Sequence, residues 1–215
     1  MIEDIFFKQH GDKNEYLVIL LPGRCGHGAN LVEHYYSLCV MPNTVYVGIT
    51  PSGYAWYPQP YSPWNQEEAI RGIPRARKVL KLIIENLHKQ LQVPPERTII
   101  GGFSAGGVMT LDYLAHSTSE YLLGVCHNGA ILDTDNLKEC TNNTPLLVFH
   151  NQDDYCFDWH ERYLPMKYAL ESRKYNTCFV ERHTGGHAIT RNSLFTVCGA
   201  LNQLNAPAEF PTYPS

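Results

Sequence analysis

Residues 98–107 read Thr-Ile-Ile-Gly-Gly-Phe-Ser-Ala-Gly-Gly, and no other stretch of the 215-residue chain constrains its fold so tightly. The β-branched run Thr98-Ile99-Ile100 predicts a buried strand. Two glycines stop it, a serine follows, and two more glycines open an apolar helical pattern from residue 105 to about 116. Gly102-x-Ser104-x-Gly106 at such a junction is the pattern of a nucleophile elbow, a strained strand-to-helix turn that lifts a serine hydroxyl clear of a sheet. Glycine is needed two residues to either side because strand and helix pack there too closely for a side chain. The triplet by itself also arises by chance, so its weight depends on what surrounds it.

What surrounds it is an alternation of strands and helices. Residues 2–9 read as a strand, and His10-Gly-Asp-Lys-Asn14 turns it into a nearly continuous apolar strand at 16–21. A Gly-rich loop, 22–28, leads to a helix over about 30–40, and 44–50 is another buried strand. Residues 51–65 form a loop with four prolines and the aromatics Tyr54, Trp56, Tyr57, Tyr61 and Trp64. The longest helical pattern, 67–92, carries Ile70, Ile73, Leu80, Ile83, Leu87 and Leu91 on one face; Pro74 predicts a kink or break in it, and Pro94-Pro95 ends it. Further strands are predicted at 122–127, 146–150 and 178–181, and further helices at 161–173 and 192–204. The pattern predicts an α/β fold: one domain over 1–204 with a mostly parallel central sheet, helices on both faces, and a Pro-rich tail at 205–215. Such sheets bind ligands beyond the carboxyl ends of their strands. Ser104, the 150–154 stretch and the Gly23 loop all lie at those ends.

Composition excludes several classes of function. Hydrophobic residues at 44% and charged residues at 18% describe a globular core. The net charge of −4, with no basic stripe, argues against nucleic acid as a partner. No apolar run approaches the roughly 18 residues needed for stable membrane insertion, and the acidic N-terminus lacks the pattern of a signal peptide. Seven cysteines, an odd number without a C-x-x-C pair, point to reduced thiols in a cytoplasmic protein. The ten histidines show no metal-ligand spacing. The Gly23 loop has neither G-x-x-x-x-G-K-[ST] nor G-x-G-x-x-G. Neither metal nor cofactor is expected.

A serine hydroxyl is a weak nucleophile near neutral pH and needs a base, itself oriented by an acid. In α/β-hydrolases these follow in the order serine, acid, histidine. His127, His150, His160, His183 and His187 lie downstream. His187 stands out because Thr184-Gly-Gly-His-Ala188 is a flexible turn after the last strand, able to swing an imidazole over the sheet. The acid falls among Asp153, Asp154 and Asp158, after the 146–150 strand, with Asp133 a weaker alternative. Oxyanion donors are expected from the N–H of Ala105, at the helix start, and of Arg24 in the Gly-rich loop, since Pro22 has no N–H.

With these residues in place the chain resembles the phospholipase/carboxylesterase family of serine hydrolases, which includes acyl-protein thioesterases and small carboxylesterases. The resemblance covers most of 16–204 and rests on Leu21-Pro22-Gly23, Ala55-Trp56-Tyr57, the 67–73 helix start, the 95–107 stretch, His150-Asn-Gln-Asp-Asp154 and Gly186-His187. The family usually has His-Gly where Pro22-Gly23 stands, Gln where Ala105 stands, and Gly where Asn151 stands; asparagine tolerates a left-handed turn, and Ala105 keeps its N–H. The resemblance implies an α/β-hydrolase fold and a triad of Ser104, Asp154 and His187, because the family carries its acid four residues after the strand-end histidine. It implies acyl transfer from a small-molecule ester or thioester. The aromatic, proline-rich loop offers Trp56, Tyr57 and Trp64 as candidate substrate contacts, and reads equally as a stiff cover packed on the protein's own surface. The contrasting reading is a hydrolase fold that binds a ligand or protein without turnover.

Overall fold

The apolar runs of the sequence become the strands of one seven-stranded sheet in a computed structural model that describes residues 2–38, 40–58, 66–135 and 137–204. The strands are β1 (Ile2–His10), β2 (Tyr16–Leu21), β3 (Thr44–Pro51), β4 (Thr98–Phe103), β5 (Leu123–His127), β6 (Leu146–Asn151) and β7 (Thr177–Arg182), in the spatial order β1-β3-β2-β4-β5-β6-β7. β1 runs antiparallel to β3, and every other pairing is parallel. The turn at 10–14 therefore does not close a hairpin between β1 and β2. β2 is buried along nearly its whole length and belongs inside the sheet, whereas half-exposed β1 suits an edge.

Helices cover both faces. α1 (Gly28–Leu38) and α5 (Arg191–Leu204) pack on one, through Leu31, Val32, Tyr35, Leu194, Val197 and Leu201. α2 (Gln66–Leu91), α3 (Ala105–Ala115) and α4 (Leu164–Ser172) pack on the other. Successive residues of β2 feed the two cores alternately: Leu17, Ile19 and Leu21 enter one, Val18 and Leu20 the other. α2 runs unbroken through Pro74, which is exposed while Ile73, Leu80, Ile84 and Leu87 are buried; packing on that side holds the helix together across the lost hydrogen bond. Ile84 rather than Ile83 is fully buried. The helix expected at 161–173 begins earlier, as a π-turn at Trp159–Tyr163: the Asp158 carboxylate caps it by accepting the N–H groups of His160 and Glu161, and the Asp158 carbonyl accepts from Tyr163 N–H at 3.1 Å. Among the described residues no helix is long and apolar enough to cross a membrane, and the six described cysteines are free.

The closest helix–sheet contact is at the elbow. A Cβ on Gly106 would lie 1.9 Å from the Leu21 carbonyl oxygen, and one on Gly102 would lie 2.2 Å from that of Gly106. These glycines let α3 sit directly on the ends of β2 and β4. At the end of β5, His127 is fully buried, bonds through Nε2 to the Tyr35 hydroxyl at 2.6 Å, and stacks on Phe149. Burial, with help from the charges of His34 and Arg182, pushes its pKa down to about 3.

Two outcomes follow for stability. Gly106→Ala is expected to destabilise by at least about 1–3 kcal/mol, since backbone and not a flexible side chain must move, whereas Gly199→Ala, which meets nothing within 4 Å in α5, is expected to stabilise by about 0.5–1 kcal/mol; thermal midpoints of the two variants check both. The unfolded chain binds a proton at His127 below about pH 6.5 that the folded chain refuses down to about 3. This contribution to stability is therefore fully present above about pH 6.5 and is lost by about 1.4 kcal/mol per unit as pH drops from there towards 3. Urea midpoints from pH 7 to 4 should show a shallower decline in His127→Gln than in the parent; equal slopes would refute the account.

Candidate active site

Ser104 sits between β4 and α3 at φ 55°, ψ −121°, a conformation L-residues rarely adopt. It is held by its N–H donating to the His127 carbonyl at 2.9 Å and by its carbonyl accepting from Val108 N–H at 3.0 Å. The turn raises the hydroxyl towards the loop between β7 and α5, where His187 Nε2 lies 2.8 Å from Ser104 Oγ. The other ring nitrogen, Nδ1, lies 3.0 and 2.9 Å from the two carboxylate oxygens of Asp154. A proton on Nδ1 satisfies the carboxylate and leaves the Nε2 lone pair facing the serine hydroxyl, the tautomer a general base needs.

Asp154 follows β6 by three residues and is buried. Its Oδ1 accepts the N–H groups of Cys156 (2.7 Å) and Phe157 (3.0 Å), and its Oδ2 accepts from Asn128 Nδ2 at 2.7 Å. Burial opposes the charged form, but the hydrogen bonds from His187, Phe157, Asn128 and Cys156 together outweigh it and hold the carboxyl below its ordinary range. Asp154 is the acid that meets the imidazole. Asp153 instead accepts the N–H groups of Gly185 and Gly186, Asp158 caps the π-turn, and Asp133 lines a small cavity between α2 and α3. Of the other histidines, His127 is fixed against Tyr35 and His150 Nε2 donates to the Phe157 carbonyl. His160 is exposed, and so is His183, which bonds to Gln152.

The loop after β2 closes over the serine. A Cβ on Gly23 would lie 3.1 Å from Ser104 Cβ, so this glycine admits the loop to the site. The N–H groups of Cys25 and Gly26 are engaged by the carbonyls of Tyr54 and Gly23, both at 3.0 Å. Trp56 is buried and donates its indole N–H to the Pro22 carbonyl at 2.8 Å; Tyr57 is buried as well. Trp56 thus braces the loop, and neither buried aromatic stands open to solvent. Trp56 also lines a cavity of about 510 Å³ beside α2 that includes none of Ser104, Asp154 or His187. Trp64 and the 205–215 tail lie outside the described residues.

The rings of Phe103, Tyr155 and Phe157 lie 4.9, 5.8 and 5.9 Å from that of His187. Tyr155 is 82% exposed and, with Leu132, Phe157 and Arg162, lines a depression of about 170 Å³. Asp154, Cys156 and His187 offer ligand atoms within 4.8 Å of one another, a spacing that could suit a cation. Their present contacts do not: the carboxylate is taken by hydrogen-bond donors, and burial with the Asp154 charge raises the Cys156 pKa, keeping the thiol protonated.

Sequence reasoning missed the side chains that hold the His187 loop. Asn128 Nδ2 reaches the Gly186 carbonyl at 3.3 Å and Asn151 Nδ2 reaches it at 2.8 Å. Asn151 does not take up a left-handed turn; it stays extended as the last residue of β6, and its amide acts instead. Its one visible signal was its place beside the strand-end histidine. Asn128 had none.

The sequence matches the family described as Phospholipase/Carboxylesterase over residues 7–205. Acyl-protein thioesterase 1 homolog 2 of Dictyostelium discoideum is 29% identical over 104 residues, which cover 46% of this chain and 43% of that protein, so the match spans less than half of the relative. The structure is similar to that of esterase PE8, with a TM-score of 0.81 at 22% identity, covering 92% of this chain and 97% of that one. It is also similar to that of a phospholipase/carboxylesterase from Dyadobacter fermentans, with a TM-score of 0.77 at 18% identity, covering 92% and 95%. At these identities the structural likeness is one of fold: a mostly parallel α/β-hydrolase sheet. The family match runs through the elbow, the Asp154 loop and the His187 turn alike, and the chain belongs to the phospholipase/carboxylesterase family of α/β-hydrolases.

Proposed function

We propose that the protein is a serine hydrolase that cleaves a small-molecule carboxylic ester or thioester through an acyl-enzyme on Ser104. The observation that carries this reading is the unbroken chain from Ser104 Oγ through the His187 ring to the Asp154 carboxylate, with links of 2.8 and 2.9 Å. His187 Nε2 takes the hydroxyl proton as Oγ attacks the carbonyl carbon, and Asp154 stabilises the imidazolium that forms. His187 then gives that proton to the leaving alcohol or thiol as the tetrahedral intermediate collapses. Water, deprotonated by the same ring, hydrolyses the acyl-enzyme.

The negative charge on the carbonyl oxygen requires donors already aimed at it. Ala105 begins α3, where backbone N–H groups have no partner within the helix. The second donor in this reading is the N–H of Arg24, which follows the glycine seated against Ser104. The carbonyl in the same peptide group as the Arg24 N–H, that of Gly23, accepts from Gly26 N–H at 3.0 Å, which fixes that peptide and supports the assignment. In this reading the exposed Tyr155, whose ring lies 5.8 Å from that of His187, and the depression it lines are candidate contacts for the leaving group. The whole catalytic unit is read as one domain through residue 204, without cofactor or metal.

A fluorophosphonate probe should label the protein, and Ser104→Ala should abolish both labelling and hydrolysis of p-nitrophenyl esters or acyl thioesters while unfolding as cooperatively as the parent. Asp154→Asn should lower kcat by about 10⁴-fold, because the neutral amide selects the wrong imidazole tautomer. An unlabelled parent would favour a binding protein on a hydrolase fold. Graded acyl lengths, offered as oxygen and sulfur esters, assign the substrate.

A further inference from the structure

His187 follows two glycines, Gly185 at φ 148° and Gly186 at φ 59°. Backbone of this kind is the most costly to immobilise, yet the ring must hold its place against both Ser104 and Asp154. Three side chains remove that freedom. The Asp153 carboxylate accepts Gly186 N–H at 2.7 Å and Gly185 N–H at 3.2 Å. On the carbonyl side, Gly186 accepts from Asn151 Nδ2 at 2.8 Å and from Asn128 Nδ2 at 3.3 Å. Gly185 also lies on the Asn151 amide, where an added Cβ would come within 2.7 Å of it.

Asn128 differs from the other two in what else it holds. Its amide nitrogen has two hydrogens, and its two acceptors are Gly186 O and Asp154 Oδ2, the latter at 2.7 Å. One buried NH₂ group thereby spans the acid and the peptide that carries the imidazole. Asn128 itself is at φ 49°, with its N–H donated to the Phe149 carbonyl at 2.9 Å, so it is anchored to β6 from a left-handed position. Asparagine is one of the few residues with a side chain that accept that backbone.

We propose that Asn128 is a positioning residue that sets the Asp154–His187 geometry, and that Asn151 and Asp153 form with it a clamp on Gly185-Gly186. The kinetic consequence rests on the acyl-transfer reading; the geometric one does not. Misplacing a reacting group by about 1 Å can cost on the order of 100-fold in rate, and the clamp's bonds go to the acid and to the backbone that carries the imidazole, so the loss falls on kcat.

Asn128→Gly is the test variant, because glycine accepts φ 49° and removes the side chain with its amide while leaving the backbone conformation open to it. The expected result is a kcat lower by roughly 10- to 100-fold with KM within about twofold, together with loss or exchange broadening of the downfield proton NMR signal of His187 Nδ1–H. Asn128→Asp keeps the shape but puts a carboxylate against Asp154, and should lose activity too. A role in packing alone predicts the reverse, with Asn128→Asp near the parent. The proposal is overturned if the Nδ1–H signal of Asn128→Gly matches the parent's, if its loss falls on KM, or if Asn128→Asp retains the parental rate. The NMR signal is read without substrate, so it tests the clamp even where the parent fails to turn over esters. Failure of the acyl-transfer reading is seen separately, as a parent that no fluorophosphonate labels.

Discussion

The site depends on how closely α3 approaches the carboxyl ends of β2 and β4. With Gly106 against the Leu21 carbonyl and Gly102 against Gly106, the helix start, the serine and the Gly-rich loop occupy one small volume. Any side chain at either position would drive α3 outward and carry Ser104 and Ala105 N–H with it. The strained backbone of Ser104 is the local consequence of that approach. It persists because the His127 carbonyl and Val108 N–H hold the serine backbone on both sides.

From that contact the remaining parts are arranged by the sheet. Parallel β4, β5 and β6 end at one level, so Ser104, Asn128 and the Asp154 loop emerge side by side. The imidazole arrives from β7, at the far edge, on a loop whose two glycines give it reach but no rigidity. The rigidity comes from the strands next to it. Polar side chains at the ends of β5 and β6 hold that loop by its peptide groups, while the Asp154 carboxylate is stabilised by four hydrogen-bond donors against its own desolvation. The histidines inside the core illustrate the contrast. His127 and His150 lie at the same strand ends, but burial lowers their basicity and their nearest partners are a phenol and a carbonyl.

Much of this architecture was legible in the chain. The strands are short apolar runs bounded by Gly, Pro and Asn, and nearly all lie within two residues of their expected limits, because burial on both faces demands such runs. Legibility failed where the outcome depended on distant neighbours. The turn at 10–14 leads from one strand to the next without saying which strands pair: β1 pairs with β3 at the edge, while the buried β2 lies between β3 and β4. Pro74 reads like a break, but burial of the opposite face of α2 overrides it. Trp56 and Tyr57 read equally as pocket residues or as a cover, because a sequence cannot tell an aromatic that faces a ligand from one that covers a backbone.

By itself the sequence determined the class of sheet and the serine turn, since each rests on periodicity or on local sterics; the order serine, acid, histidine is what its resemblance to α/β-hydrolases implies. It also narrowed the acid to a few neighbouring carboxylates. The family resemblance singled out Asp154, and the tertiary structure supplies the physical reason: Asp153 and Asp154 are adjacent in sequence and diverge in space, one to the glycine amides and one to the imidazole. Asn128 and Asn151 as holders of the His187 loop came from the tertiary structure alone. Their amides act across 58 and 35 residues of chain, a separation at which no local pattern survives and only packing brings donor to acceptor.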